Sequence, residues 1–146
     1  MLFTAIGHVA IRCTDIDRSL EFYTKVLGFP EMFRLNQDDG RVWLVYLRVT
    51  DTVYLELFPD GAGNEVPGKN ATGINHLCVE TADIDAAAEH FAQMSVPLTK
   101  PVVTGRDGNR QCWIDDPDGN RIEIMQMMEN SLQFEAVRAM ATATPQ

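Results

Sequence analysis

The sequence predicts an α+β fold in which two βαβββ modules form a curved mixed sheet around a metal site. Three observations predict it. The first half of the chain is repeated in the second half, the hydrophobic period changes from two to about 3.6 and back within each copy, and each copy carries one matching histidine and glutamate. We place the modules at about residues 5–59 and 73–128 of a single domain covering residues 1–146.

The two copies align at a nearly constant offset. Residues 6–17 correspond to residues 74–85, so that His76 follows His8 by 68 positions. Residues 53–58 correspond to residues 120–125, and Glu123 follows Glu56 by 67 positions. One deleted residue accounts for the difference, and a repeat of this length indicates two copies of one supersecondary unit.

In the first copy, residues 6–12 alternate and are rich in β-branched side chains, which predicts a strand. Asp15 is a candidate N-cap for a helix, and Gly28 stands where such a helix would end. Between them, one helical face is apolar: Ile16, Leu20, Tyr23 and Leu27. Two further strands are predicted at residues 42–50 and 53–58.

The second copy repeats this order, with a strand at residues 74–80 and a helix capped by Asp83. Its later strands are predicted at about 98–103, 111–115 and 121–126. The last two are joined by Asp116-Pro117-Asp118-Gly119, a sequence typical of a tight turn. A glycine-rich linker, 60–73, separates the copies, the loop 104–110 is a candidate cover for a pocket, and an amphipathic helix is predicted at about 131–141.

Composition excludes several classes of function. Lys and Arg number 12 against 21 Asp and Glu, for a net charge of −9, so a nucleic-acid partner is not expected. No apolar run reaches membrane-spanning length and no signal peptide is recognisable, so we expect no membrane association and a cytoplasmic location. The three cysteines form no Cys-x-x-Cys pair, which favours neither a disulfide framework nor a thiolate zinc site.

The paired residues His8, Glu56, His76 and Glu123 are the candidate metal ligands. A single strand histidine is more often a core residue than a ligand, but the same pair at equivalent places in two copies is not explained by chance. Two imidazoles and two carboxylates suit one divalent ion such as Ni²⁺, Zn²⁺, Co²⁺ or Mn²⁺. Such a site favours Lewis-acid chemistry on two neighbouring oxygens, with a glutamate as base.

At these residues the chain resembles the vicinal oxygen chelate superfamily, which is built from paired βαβββ modules. The segments 19–29 and 116–123 are similar to its glyoxalase I branch, and the resemblance extends from Ile6 to Met127. It implies a metal-dependent lyase or isomerase acting on a hemithioacetal, or a related α-hydroxycarbonyl, through an enediolate. It also implies a homodimer and a small-molecule substrate that is a thiol adduct.

The resemblance further assigns roles to individual residues. Glu123 and Glu56 would move the proton between adjacent carbons while serving as ligands. Arg12, on the face of His8, matches an arginine that glyoxalase I enzymes use toward a glutathione carboxylate. The cations of the loop before the penultimate strand are Arg106 and Arg110, which we assign with Arg12 to substrate binding. The identity of the thiol stays open.

Three other functions occur in the same superfamily. An epimerase of the methylmalonyl-CoA type would keep the proton transfer, but such relatives typically have Gln where this chain has Glu56. Extradiol dioxygenases use two histidines and one carboxylate around Fe²⁺, and a fourth ligand would close one open position. A metal-free resistance or binding protein would have no need of the intact ligand set.

Overall fold

A computed structural model describes residues 2–63, 66–68 and 70–142 of the chain. The chain divides into two compact units, Met1–Val66 and Pro67–Gln146. Each unit contains one four-stranded mixed sheet, in the order β1-β4-β3-β2 in the first and β5-β8-β7-β6 in the second. The predicted α+β class and the repeated strand order are therefore confirmed.

The first unit begins with β1 (His8–Arg12), which pairs in parallel with β4 (Tyr54–Phe58). Antiparallel pairing then joins β4 to β3 (Val42–Arg48) and β3 to the edge strand β2 (Glu31–Asn36). Alternation along these strands separates two faces of the sheet. One face contributes Leu47, Leu55 and Leu57 to the core, and Glu56 lies on the other.

Helix α1 (Ile16–Glu21) begins where Asp15 accepts hydrogen bonds from two backbone amides of the first turn. It continues as a π-helical turn, Phe22–Val26, which the sequence did not distinguish from ordinary helix. Gly28 follows with a φ of 73°, in the left-handed region that favours glycine. The predicted start and end of this helical segment are therefore in place.

The second unit repeats the plan with β5 (Leu77–Glu80), α2 (Ile84–Gln93), β6 (Lys100–Thr104), β7 (Arg110–Asp115) and β8 (Arg121–Gln126). Strand β5 pairs in parallel with β8, and β7 lies between β8 and β6 in antiparallel pairing. Asp83 caps α2 as Asp15 caps α1. In the turn between β7 and β8, the Asp116 side chain accepts hydrogen bonds from the amides of Asp118 and Asn120.

Two local features differ from the sequence predictions. Strand β2 was not located, because all six of its residues are exposed and it lacks a clear hydrophobic alternation. The first strand of each copy is shorter than predicted, so His8 opens β1 while His76 stands one residue before β5. His8 is therefore the first residue of its strand, whereas His76 lies just before its strand.

The C-terminal helix α3 (Leu132–Thr142) is attached to the loop between β6 and β7. The Leu132 amide donates to the Asp107 carbonyl at 2.7 Å. Asn109, fully buried, donates to Asp107 and Gln133 and accepts from the Met128 amide. This loop, which the sequence suggested as a cover for a pocket, is therefore restrained by the helix that follows.

Among the helices of the described residues, none combines the length and the apolar character needed to cross a membrane.

Candidate metal centre

The first unit brings His8 and Glu56 together. His8 opens β1, Glu56 lies in the middle of β4, and the parallel pairing of these strands places Ala10 directly beside Glu56. The Nε2 atom of His8 lies 3.4 Å from Oε2 of Glu56. The glutamate side chain is only 9% exposed, whereas the imidazole is 48% exposed. A buried carboxylate beside an accessible imidazole presents one donor of each kind on the same face of the sheet.

The second unit brings His76 and Glu123 together in the same way. Cys78 of β5 is the register partner of Glu123 in β8, and His76 lies two residues before Cys78 on the same face. Nε2 of His76 lies 3.1 Å from Oε2 of Glu123. The repeat in the sequence therefore corresponds to a repeat of this contact in the structure.

The separation of each pair fits a shared divalent ion. Two donors that each lie about 2.1 Å from one ion are roughly 3.0 Å apart at a right angle and roughly 3.4 Å apart at a tetrahedral angle. A hydrogen bond from Nε2 would suit the 3.1 Å separation of the second pair, whereas the 3.4 Å of the first pair is longer than an ordinary hydrogen bond. Within the described part of the chain, no three His, Cys, Asp or Glu side chains come together as a metal-binding group, so each unit supplies a pair.

The two glutamates have different hydrogen-bonding neighbours. Tyr46 of β3 is the register partner of Glu56, and the interaction of its hydroxyl with the Glu56 carboxylate raises the pKa of Tyr46. The corresponding residue in the second unit is Trp113, whose Nε1 donates to Gln111 at 3.0 Å instead. Glu123 is approached by Cys78, and burial together with that carboxylate raises the pKa of the Cys78 thiol to about 12.

Aromatic and cationic groups surround each pair. In the first unit, the Tyr46 ring lies 6.2 Å from His8 and stacks on Phe33 at 4.5 Å. In the second unit, the Trp113 ring lies 4.8 Å from His76, and Lys100 Nζ lies 4.5 Å from its centroid. Each imidazole therefore has an aromatic wall, but only the second wall has an ammonium group over it among the described residues.

The three predicted substrate-binding arginines occupy different places. Arg12 ends β1, donates to the Pro59 carbonyl at 2.8 Å and lies 5.3 Å from the Phe58 ring. Arg106 is exposed in the turn between β6 and β7. Arg110 makes two hydrogen bonds to the carboxylate of Asp85, of 2.7 and 2.9 Å, which lowers the pKa of Asp85. Their role in substrate binding stays a prediction.

From the sequence, Tyr46 and Trp113 could line a pocket but are more often core residues, and nothing in the sequence reasoning placed them beside the ligand pairs. Tyr46 and Trp113 are themselves 67 positions apart, so the repeat could have found them as partners of Glu56 and Glu123. Asn75 and Arg121 contact each other beside His76, and neither has an equivalent of its own type in the first copy, where Gly7 and Tyr54 stand. A search for matched residues alone does not detect such unmatched ones.

Comparisons with known proteins agree with this arrangement. Residues 5–124 match the model of the Glyoxalase/Bleomycin resistance protein/Dioxygenase superfamily. The chain belongs to this superfamily. Because the match covers both units, the repeated fold and the positions of both His/Glu pairs fall within it.

Individual relatives cover most of the chain. A lactoylglutathione lyase of Pseudomonas aeruginosa is 31% identical over 148 residues, covering 85% of this chain and 83% of the relative. A 2-epi-5-epi-valiolone epimerase of an Actinomyces species is 30% identical, covering 84% and 79%. The crystal structure of a glyoxalase family protein from Enterococcus faecalis superposes with a TM-score of 0.75 at 23% identity, covering 86% and 99%. Both a lyase and an epimerase are therefore among the similar proteins.

Proposed function

We propose that the protein is a metal-dependent, glyoxalase I-like lyase or isomerase that acts on a hemithioacetal or a related α-hydroxycarbonyl through an enediolate. The observation that carries the proposal is the repeated His/Glu contact, at 3.4 Å in the first unit and 3.1 Å in the second. The relatives named lactoylglutathione lyase support the choice of reaction. The proposed ion is Ni²⁺, Zn²⁺, Co²⁺ or Mn²⁺.

Each ion would be held by His8 and Glu56 of one first unit and His76 and Glu123 of one second unit, from the same chain or from two chains of the dimer, with both imidazoles neutral and both glutamates ionised. A divalent ion in such a site supplies Lewis-acid stabilisation of negative charge on two neighbouring oxygens of the substrate. The two carboxylates offset the charge of the ion, which suits a reaction without electron transfer.

The proton transfer is assigned to a glutamate. Glu123 takes the proton from the carbon that bears sulfur and returns it to the adjacent carbon, so the substrate is isomerised with no net gain or loss of atoms. Glu56 interacts with the Tyr46 hydroxyl and is mostly buried, and both features favour a fixed carboxylate. We therefore assign Glu123 as the base and Glu56 chiefly as a ligand.

Arg12 is proposed to bind a carboxylate of the substrate. Its guanidinium has one hydrogen bond to the Pro59 carbonyl and lies at the exposed end of β1, two positions beyond the register partner of Glu56. Arg106 and Arg110 are the cations proposed for the same purpose from the loop before β7.

We further propose that the protein acts in the cytoplasm as a homodimer. A mass of twice that of one chain in light scattering would check the dimer.

An epimerase is the second candidate, because one relative of 30% identity carries that name. Both reactions begin with removal of a proton next to a carbonyl, and they differ in where the proton returns.

The metal-reconstituted protein should be assayed with hemithioacetals of methylglyoxal and several thiols. Turnover of one of them supports the lyase. Exchange of a carbonyl-adjacent proton with D₂O in a hydroxyketone, without thiol dependence, supports the epimerase instead.

A further inference from the structure

Three polar side chains form a continuous hydrogen-bonded chain in the second unit. Arg121, at the start of β8, donates from Nη2 to the carbonyl of Asn75 at 2.7 Å and also to its Oδ1 atom. The same Oδ1 lies 2.9 Å from Nδ1 of His76. On its other side, the imidazole reaches Glu123 through Nε2. This series of hydrogen bonds therefore connects the guanidinium of Arg121 to His76, a proposed metal ligand.

The chemistry of Arg121 fixes the orientation of the Asn75 amide. A guanidinium has only donors, so the atom of Asn75 that faces it must be the oxygen and not the amide nitrogen. That oxygen has two lone pairs and can accept from both neighbours. Since it accepts from Arg121, it presents an acceptor to His76 as well.

An acceptor beside Nδ1 in turn fixes the state of the imidazole. Nδ1 must carry a hydrogen to bond to the oxygen, whether the ring is neutral or charged. In the neutral ring, Nε2 is then the nitrogen with the free lone pair, and it faces Glu123. The lone pair and the carboxylate suit a metal ion that both would bind, whereas without metal the carboxylate competes with Asn75 for the ring hydrogen. A second hydrogen bond on the far nitrogen is the usual means by which proteins orient a metal-binding histidine.

The first unit lacks this chain of contacts. The positions equivalent to Asn75 and Arg121 are Gly7, which has no side chain, and Tyr54. The hydroxyl of Tyr54 donates to the Asp51 carbonyl, in the turn that precedes β4. The orienting contact therefore belongs to one copy of the repeat and not to the other.

We propose that Asn75 and Arg121 are positioning residues that hold His76 in the Nδ1–H tautomer, with Nε2 directed toward Glu123. Asn75 acts directly on the imidazole, and Arg121 acts by orienting the Asn75 amide. The inference rests on the proposed function only for its consequence on metal binding, since the contacts themselves involve this chain alone. Asn75 is exposed, so its effect is on the state of His76 more than on folding.

The tautomer can be measured directly in the metal-free protein. Long-range ¹H–¹⁵N correlation of the imidazoles in the Glu123→Ala variant, which has no carboxylate to accept from Nε2, should show His76 as the Nδ1–H form at a pH about two units above 6.5, the ordinary histidine pKa. In Asn75→Leu made in the same background, which keeps the bulk but has no acceptor at Nδ1, His76 should shift to the Nε2–H form that free imidazole side chains prefer. His8 is the internal control and should not change.

Zinc affinity supplies a second measurement. Competition with a chelator should show zinc binding weaker by roughly 10- to 100-fold in Asn75→Leu, the usual effect of losing such a contact. Asn75→Asp keeps an acceptor for both partners and should retain the wild-type tautomer and affinity. Arg121→Gln should give an intermediate mixture of tautomers, because the guanidinium that requires the oxygen of Asn75 to face it is then absent.

An unchanged His76 tautomer in Asn75→Leu would overturn the proposal, as would equal changes in Asn75→Leu and Asn75→Asp. Neither measurement requires turnover. If the wild-type protein acts on no hemithioacetal while His76 responds as described, the proposed function fails and the positioning role stands. If turnover of a hemithioacetal is found but the His76 tautomer does not respond, the positioning role fails and the proposed function stands.

Discussion

The two units share their fold and their ligand pair but restrain different members of that pair. In the first unit, the Tyr46 hydroxyl interacts with the glutamate, and the imidazole of His8 is 48% exposed. In the second unit, Asn75 holds the imidazole of His76, which is 31% exposed. The two copies of the repeat therefore share the proposed ligands but differ in the residues that contact those ligands.

A row of register partners across each sheet shows the same divergence. The first row runs Ala10, Glu56, Tyr46 and Phe33, and the second runs Cys78, Glu123, Trp113 and Lys100. The first row ends in an aromatic surface and the second in an ammonium group. The two units therefore present chemically different residues at equivalent positions of the same strand plan.

The largest effect should come from exchanging each glutamate for its amide. Glu123→Gln can still offer an oxygen to a metal but has no basic carboxylate, so kcat should fall by roughly a hundredfold or more with only a modest loss of metal. Glu56→Gln should instead reduce metal content more than Glu123→Gln does. Elemental analysis and steady-state kinetics on both variants check this.

The reverse pattern would move the base to the first unit. His76→Ala provides the reference for loss of a ligand, because it should remove metal and activity together. Full metal content and near-normal turnover in Glu123→Gln would show that Glu123 does not take the proton.

The next effect concerns the restraint on Glu56. Tyr46→Phe removes the hydroxyl whose pKa is raised by its interaction with the buried Glu56 carboxylate. We expect metal affinity to weaken by roughly tenfold as Glu56 becomes free to rotate. Tyr54→Phe is the matched control, since its hydroxyl bonds to the Asp51 carbonyl and not to a proposed ligand. Equal metal affinities in the two variants would contradict the assignment.

Arg12→Ala should raise KM for a carboxylate-bearing substrate more than it lowers kcat, because binding of a remote carboxylate contributes equally to ground and transition states. A several-fold change is expected, as the guanidinium is exposed at the end of β1. A substrate without the carboxylate is the control, and its KM should not respond. Were both substrates to lose affinity equally, Arg12 would be supporting the fold near Pro59 instead.

The smallest effect should come from Arg110. The hydrogen bonds from its guanidinium lower the pKa of Asp85, so the pair stabilises the fold above the unfolded-state pKa of about 3.9, and this stability is lost as pH falls through the lower folded-state value. Arg110→Gln should therefore unfold slightly more easily at neutral pH, with the difference from wild type vanishing in acid. Thermal unfolding of both proteins at pH 7 and below pH 3 measures this. If the stability difference between wild type and Arg110→Gln were the same at both pH values, the ion pair would not be its cause.

The sequence predicted the elements whose signals are local. Strand β8 has the predicted bounds, and the caps Asp15 and Asp83 lie where short-range patterns placed them. Strand β2 was missed because an exposed edge strand need not alternate. The π-helical turn was missed because apolar spacing near 3.6 does not separate it from α-helix.

The neighbours of the candidate site depend on information that is not local. That Tyr46 lies beside Glu56 follows from the register of β3 on β4, which the sequence leaves open until the turn between them is known. The contact of Asn75 with Arg121 joins residues 46 positions apart. Proximity in the first copy offers no hint of it, since Gly7 carries no side chain.

The buried side-chain amide of Asn109 connects three segments of the second unit that contain none of the proposed metal ligands. It bonds to the loop at Asp107, to the residue Met128 beyond β8 and to Gln133 of α3. A side chain shared in this way makes the segments open and close together, because freeing any one of them leaves a buried polar group unpaired. Fraying of the last helix would thus be transmitted to the start of β7, and a tag or fusion at the C-terminus would act on the interior of the second unit.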